Sequence, residues 1–446
     1  MTTAILQVLG DPRGYKNTRY VIDGKEYRER LPALAIYEWL EDCGKDAKIV
    51  LLTPDSLITK IEDDIDEAVE LLRDREKFKK KILELLDGAN ADVLMIPSVG
   101  IYSGKYTARF EGSVENTITY IFKELVKCGI DEIYADVSTG QNIYTTSMLE
   151  ALRKYATYRK LRYILQGRSG ISLKLAYVPP VFVEGQEANV EIHDFDVKAF
   201  FSLPSPNPKK ICVEKRKELQ RKHKKFFDSL SNDLKTLKIA FNAIKYNTPL
   251  VFYHPEILDL DIDVGRDIDG LIRILEELEE SREIVMDENG ITVSRAVINS
   301  DDVTNTFFAI AILSSIIDFH RVKIREPEVN EIFKTFKKIY ENLGLDVNSK
   351  FLERDIDDIK KLTANLTGEK LLLDLYAERF GHIKEDQKPK GSSRPDRNFF
   401  AHSGFLKEIT RVRKEEGKIL LRYDLELIKK KRDIGITKWL QNPRKS

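Results

Sequence analysis

Cysteine is scarce in this chain. Only Cys43, Cys128 and Cys212 occur in 446 residues. They are far apart, odd in number and form no CxxC pair, which argues against a disulfide framework or a structural zinc site. Net charge is lacking as well, because 73 basic and 73 acidic residues cancel. Such a balance speaks against a protein that coats nucleic acid without preference, but leaves room for a local basic groove. No apolar run is long enough to span a bilayer. The longest, near Thr306–Ile317, predicts a buried helix. The opening "MTTAILQVLGD" has no basic segment before its short apolar run, so no signal peptide is expected. The expected location is the cytoplasm, with no membrane partner. Two phosphate-binding fingerprints are also missing. No GxGxxG follows the first strand-like run, and no GxxxxGK[ST] occurs. Histidine is rare, with six in all, and there is no HExxH metal motif and no internal repeat.

What is present is enough apolar residue, 42%, to bury two or three cores. The first part alternates strand and helix patterns. "AILQVLG", "AKIVLLTP", "ADVLMIPSVG" and "DEIYADVSTGQN" read as strands ending in loops, and further strands are predicted at "RYILQG" and "ISLKLAYVPPVFV". Helices lie between them, including a long charged one over 61–86. This alternation predicts an open, mostly parallel α/β sheet with ligands at the carboxyl ends of its strands. "SLPSPNPKK" marks a boundary with its three prolines. Beyond it the patterns are helical, starting with one long basic helix from "EKRKELQRKHKK" onward. "REIVMDENGITVSRA" reads as a β-hairpin turning at Asn289-Gly290, either part of a winged helix or an ornament on a bundle. The expected division is 1–203, 210–300 and 301–446.

Two short stretches carry chemistry. In "DVSTGQN" (Asp136–Asn142) a strand meets a helix. Ser138 and Thr139 can cap that helix, and Gly140 lets the backbone come close to a ligand. Open amides at a helix start suit an anion, and an ordinary capped helix fits as well. In "RNFFAH", Arg397 and His402 stand five apart with Asn398 beside the arginine. On one ideal helix they would lie about 140° apart, so no single face carries both. Guanidinium has only donors and cannot ligate a metal. Phe399 and Phe400 are expected to bury and hold the segment. It follows a loop rich in Lys, Arg, Ser and Gly at 388–394. The other histidines suggest no site: His223 reads as a solvated or RNA-grazing surface, and His254, His320 and His382 as structural, packing or surface residues.

"DVSTGQN" resembles the strand–loop–helix signature of CARF domains, the CRISPR-associated Rossmann-like sensors, whose usual form is Asp-Leu-Thr-x-Gly-x-Asn. "RNFFAH" is similar to the signature of HEPN ribonucleases: Arg, a polar residue, three variable residues, His. Both occur in the order CARF then HEPN, so nearly the whole chain resembles a CRISPR-associated CARF–HEPN ribonuclease, an accessory nuclease of type III systems. The resemblance implies an α/β plus all-α fold: a Rossmann-like CARF domain, a helical linker with a hairpin, and a helical HEPN domain. It implies a homodimer, or a higher even oligomer, that binds a cyclic oligoadenylate, expected to be cyclic tetra-adenylate, because an even ring can sit on a two-fold axis. Gly140, Gln141 and Asn142 are then expected at the ligand, Ser138 and Thr139 at its edge, and the first-strand loop with Gly10, Asp11, Arg13 and Asn17 as the other wall. Arg397, Asn398 and His402 are expected to cleave single-stranded RNA without a metal or cofactor, leaving 2′,3′-cyclic phosphate and 5′-hydroxyl ends. The alternatives are a ligand-responsive transcription regulator, which the acidic run at 267–281 disfavours, and a nucleotide- or RNA-binding protein without turnover.

Overall fold

The computed structural model describes residues 2–179, 187–288, 290–320, 326–381 and 394–443. The N-terminal part runs β1 (Thr3–Val8), the hairpin β2 (Thr18–Ile22) and β3 (Lys25–Glu29), α1 (Pro32–Asp42) and β4 (Ala47–Pro54). Helices α2 (Ile58–Ile61), α3 (Ile65–Arg73) and α4 (Arg75–Leu85) lead to β5 (Asp92–Ile96) and a second hairpin, β6 (Gly100–Ser103) and β7 (Thr107–Glu111). Then come α5 (Val114–Cys128), β8 (Glu132–Asp136), α6 (Asn142–Arg162), β9 (Ser172–Tyr177), β10 (Glu187–Asn189) and β11 (Glu191–Asp194).

The main sheet has the order β11-β9-β8-β1-β4-β5. All of its pairs are parallel except β11 with β9. Every residue of β1 and β8 is buried, as central strands covered on both faces require. The chain leaves β1 toward β4 on one side, and leaves β8 toward β9 on the other. The crevice between the ends of β1 and β8 is therefore the topological switch point, where open α/β sheets take ligands.

The second part runs α7 (Arg216–Lys222), α8 (Lys224–Lys245), α9 (Val264–Glu280), β12 (Glu283–Asp287), β13 (Gly290–Ser294), α10 (Ser300–Phe319), α11 (Val329–Leu343) and α12 (Asp346–Leu362). It ends with β14 (Gly368–Leu371), α13 (Leu372–Phe380), α14 (Pro395–Ala401), β15 (Thr410–Glu415), β16 (Lys418–Tyr423), α15 (Leu425–Lys430) and α16 (Ile436–Gln441). The apolar run at 306–317 lies within α10, a mostly buried helix. Phe307 of α10 meets Phe122 of α5 edge-on, ring centroids 5.3 Å apart, so one apolar core continues from the sheet into the helices. Strands β14, β15 and β16 form a small antiparallel sheet that the sequence patterns did not single out.

Several expectations are corrected. The long helix over 61–86 is two helices, α3 and α4, after α2 has ended at Ile61, because Asp64 and Asp74 each cap a new start. Asp64 Oδ1 accepts from the Asp66 and Glu67 amides, and Asp74 Oδ1 from those of Glu76 and Lys77. "RYILQG" is a single 3-10 turn at Ile164–Gln166. Its Leu165 amide is taken by Ser315 Oγ at 3.2 Å instead of a strand partner. The long basic helix breaks at His223, whose backbone leaves helical geometry (φ −108°, ψ 28°). His223 Nε2 lies 2.9 Å from Glu277 Oε2, so this side chain is an inter-helix tie, not a solvated face. The hairpin at 282–296 forms, but neither as a wing nor as a bundle ornament: β13 pairs in parallel with β7, giving a four-stranded sheet β12-β13-β7-β6.

Candidate functional site

At the switch point, the end of β1 and the loop after β8 touch. Gly140 has φ +86°, and a Cβ there would lie 2.5 Å from Val8 Cγ1 and 3.0 Å from Val8 O. Only glycine permits both the conformation and the approach. A Cβ on Gly10 would come 4.0 Å from Gly140 Cα. The loop is held from below. Asp136 is fully buried; its Oδ1 accepts from the Ser138 amide at 2.9 Å, and its Oδ2 lies 3.1 Å from the Thr139 hydroxyl. Burial pushes the Asp136 carboxyl up, against the pull of those hydrogen bonds. Gln7 spans the crevice floor: its Nε2 donates to Thr139 Oγ1 at 2.9 Å and its Oε1 accepts from the Ala33 amide at 3.0 Å. Ser138 Oγ accepts from the Val178 amide.

Ser138 and Thr139 are thus not helix caps, as the sequence suggested. The N-cap of α6 is Gln141, which makes no side-chain cap bond. Gly140, Gln141 and Asn142 are exposed, at the positive end of a 21-residue helix. On the facing loop the Gly10 amide donates to Tyr15 Oη at 2.7 Å, and burial raises the Tyr15 phenol. Asp11, Arg13 and Asn17 are exposed there. The Arg13 guanidinium donates to Ile61 O at 2.9 Å, which ties it to the end of α2. A third wall was not among the candidates. Tyr102 of β6 shares a 2.6 Å hydrogen bond with Tyr144 and lies 3.5 Å from Gln141 Oε1. The signal for Gln7 was a polar residue inside the apolar run "AILQVLG".

In the second site α14 ends at Ala401, and His402 is its C-cap with φ −122° and ψ 44°. The ideal-helix angle between Arg397 and His402 therefore does not apply. The next two residues turn sharply, Ser403 at φ +49° and Gly404 at φ +77°. Phe399 is fully buried, 5.6 Å from Trp439 and 5.3 Å from Phe400 between ring centroids. Behind His402 runs a buried chain: Tyr340 Oη donates to Asn247 Oδ1, Asn247 Nδ2 to Ser403 Oγ, and Ser403 Oγ to Asp355 Oδ2 at 2.7 Å. It fixes the turn that follows His402. Arg397 and His402 are exposed and Asn398 is half-buried. His402 opens on a cavity of about 230 Å³, whose walls include Tyr376 of α13 and Lys407 but not Arg397. The preceding loop positions 388–393, and His382, lie outside the described residues. Among those residues no group of three or more His, Cys, Asp or Glu converges to hold a metal ion.

Two family models match this chain. Residues 4–178 match the CARF domain of CRISPR system endoribonuclease Csx1, and residues 345–426 match the HEPN domain of the same family. Together they cover more than half of the chain and include both sites. The chain belongs to the CARF–HEPN ribonucleases of CRISPR systems. No curated protein matches it in a sequence search. Its CARF and HEPN domains together mark it as a ligand-regulated ribonuclease, and buried charge ties the CARF region to the segment between the two matches. Asp55, at the end of β4, pairs with the Arg295 guanidinium, and Arg295 Nε lies 3.2 Å from both carboxylate oxygens of Glu279 on α9. Asp55 Oδ1 also accepts from the Ser98 amide at 2.9 Å, just before β6, the strand that carries Tyr102. The CARF domain and α9, which lies between the two matched regions, thus share one ion network.

Proposed function

We propose that this protein is a cyclic-oligoadenylate-activated endoribonuclease of type III CRISPR antiviral defence, working in the cytoplasm as a homodimer or higher even oligomer. The observation that carries the reading is His402: an exposed histidine, braced by the Ser403–Asp355 chain, in the Arg-Asn-x-x-x-His pattern inside the HEPN match. RNA supplies its own nucleophile, the 2′-hydroxyl beside the scissile phosphate. A base removes the hydroxyl proton as oxygen attacks phosphorus. An acid delivers a proton to the departing 5′-oxygen, giving a 2′,3′-cyclic phosphate and a 5′-hydroxyl. Histidine takes and gives protons near neutral pH, a role worth on the order of 10²–10⁴ in rate. Two protomers meeting at α14 would present two His402 rings to one RNA strand, one for each transfer. Arg397 would bind the phosphate oxygens through its fork of donors, and Asn398 would hydrogen-bond beside it. No metal is needed for this chemistry.

In the sensor, Gly140, Gln141 and Asn142 would meet the activator, with Ser138 and Thr139 at its edge. Gly10, Asp11, Arg13 and Asn17 would form the opposite wall. Cyclic tetra-adenylate is the proposed activator, since a two-fold dimer presents the same loops to both halves of an even ring. The test is labelled single-stranded RNA incubated with a panel of cyclic oligoadenylates, with and without EDTA. Cleavage should appear with one ring size, persist in EDTA and vanish in His402→Ala, whose thermal midpoint should match the wild type. A folded H402A protein that still cuts RNA would sink the HEPN assignment, and loss of cutting in EDTA would point to a metal nuclease.

A further inference from the structure

The cavity beside His402 is lined by two cations that the recognisable motif does not include, Arg354 and Lys407. Its carboxylates are already engaged. Asp355 accepts from Ser403 at 2.7 Å and faces Arg354 at 3.4 Å, and Asp358 faces Lys361 at 3.4 Å. Lys407 differs. Among the described residues no carboxylate lies within ion-pairing distance of its ammonium. The ammonium sits instead over the ring of Tyr376, 3.4 Å from the centroid. Burial lowers the Lys407 pKa, against the opposing pull of Glu408 and Asp358. Its backbone is pinned, with the Leu373 amide donating to Lys407 O at 3.1 Å. A ring face holds a cation in place and, unlike a carboxylate, does not neutralise it, so the N–H donors that point away from the ring stay available to an anion. Arg397 does not line this cavity, and the other cation that does, Arg354, already faces Asp355 at 3.4 Å, so Lys407 is the cation left to meet a phosphate that enters it beside His402.

We propose that Lys407, carried on the ring of Tyr376, forms a second phosphate-binding subsite of the ribonuclease centre. It takes a backbone phosphate of single-stranded RNA in the cavity that His402 lines. Tyr376 is its positioning residue: without the ring, the ammonium is free to swing toward Asp358. The inference rests on the proposed role of His402 and adds to it the grip on the strand.

The experiment uses the full-length His402→Ala protein and a labelled single-stranded RNA with 2′-O-methyl riboses, with and without cyclic tetra-adenylate. Affinity is measured over a salt series. Each phosphate contact on a single strand contributes about 0.7 to the slope of log affinity against log salt. Adding Lys407→Met keeps the apolar stem on Tyr376 and should lower that slope by about this amount, with weaker binding to every sequence tried. Lys407→Arg should keep the slope. If the methionine variant loses its thermal transition, Lys407→Gln, which keeps a polar tip in the cavity, takes its place. An unchanged slope in a folded Met or Gln variant overturns the subsite. Cleavage of the same RNA with unmodified riboses by H402A would instead overturn the ribonuclease centre, so the two failures are separable.

Discussion

Gly140 and Ser403 are single residues on which each site turns, and they work in opposite ways. Gly140 is defined by absence: no side chain fits between the loop and Val8. Gly140→Ala therefore meets both the left-handed backbone cost, roughly 1–2 kcal/mol, and a clash with Val8. Gly24 has a similar φ of +79° with nothing nearby, so Gly24→Ala isolates the backbone cost. In urea unfolding Gly140→Ala should lose clearly more stability than Gly24→Ala, and it alone should weaken the response to activator. Equal losses would show that the loop yields freely and that the close approach to Val8 does not matter. Ser403 is defined by presence. Its hydroxyl joins Asn247 to Asp355 and so carries the brace behind His402. In the sequence it is only the residue that follows a motif.

At the scale of elements, the decisive link is Arg295 after β13, held between Asp55 and Glu279. Arg295→Met would leave Asp55 buried without a counter-charge, at a cost of about 3–5 kcal/mol. Glu279 would keep Arg75 at 3.3 Å and Arg282 at 3.8 Å. Adding Asp55→Asn should recover most of the loss, because a neutral amide needs no counter-ion and its oxygen can still accept from Ser98. Denaturant midpoints of the single and double variants check this; a double variant no better than the single would mean that packing, not charge, is what Arg295 supplies. This link also marks how much was legible in the sequence. The main sheet was readable, since apolar runs such as "AKIVLLTP" announce strands buried on both faces. The hairpin was readable from Asn289-Gly290, but its destination was not. Parallel pairing of β13 with β7 leaves no local trace in either segment. The breaks at Asp64 and Asp74 were hidden because a capping aspartate looks like any other charge in a charged run. The RNase motif could be found because it is contiguous. Its cavity could not, because Asp355, Tyr376 and Lys407 come from separate elements that only the fold brings together.

Over the whole molecule, regulation by a ligand requires the sensor site and the ribonuclease site to be coupled. If the activator favours the cleaving arrangement, it must bind that arrangement better, and coupling of about 1–3 kcal/mol corresponds to roughly 5–150-fold. Binding linkage is reciprocal. A non-cleavable RNA saturating the His402→Ala protein should therefore tighten activator binding by the factor with which activator tightens RNA binding. Isothermal titrations in both orders check this. Equal activator affinities with and without RNA, beside strong stimulation of the wild type, would mean that the ligand alters catalytic geometry and leaves RNA affinity alone. The same long-range wiring has a consequence for how the chain is made. The edge of β7 is completed by β13, whose Ser294 bonds to Glu111 across 183 residues of sequence. At about 5–20 residues per second, the ribosome takes on the order of 10–40 s to supply that partner strand. For that interval every nascent chain carries an unpaired strand edge, the surface that invites pairing between neighbours. Slow translation anywhere between the two strands lengthens the exposure, so the yield of soluble protein depends on the tempo of synthesis as well as on the stability of the finished fold.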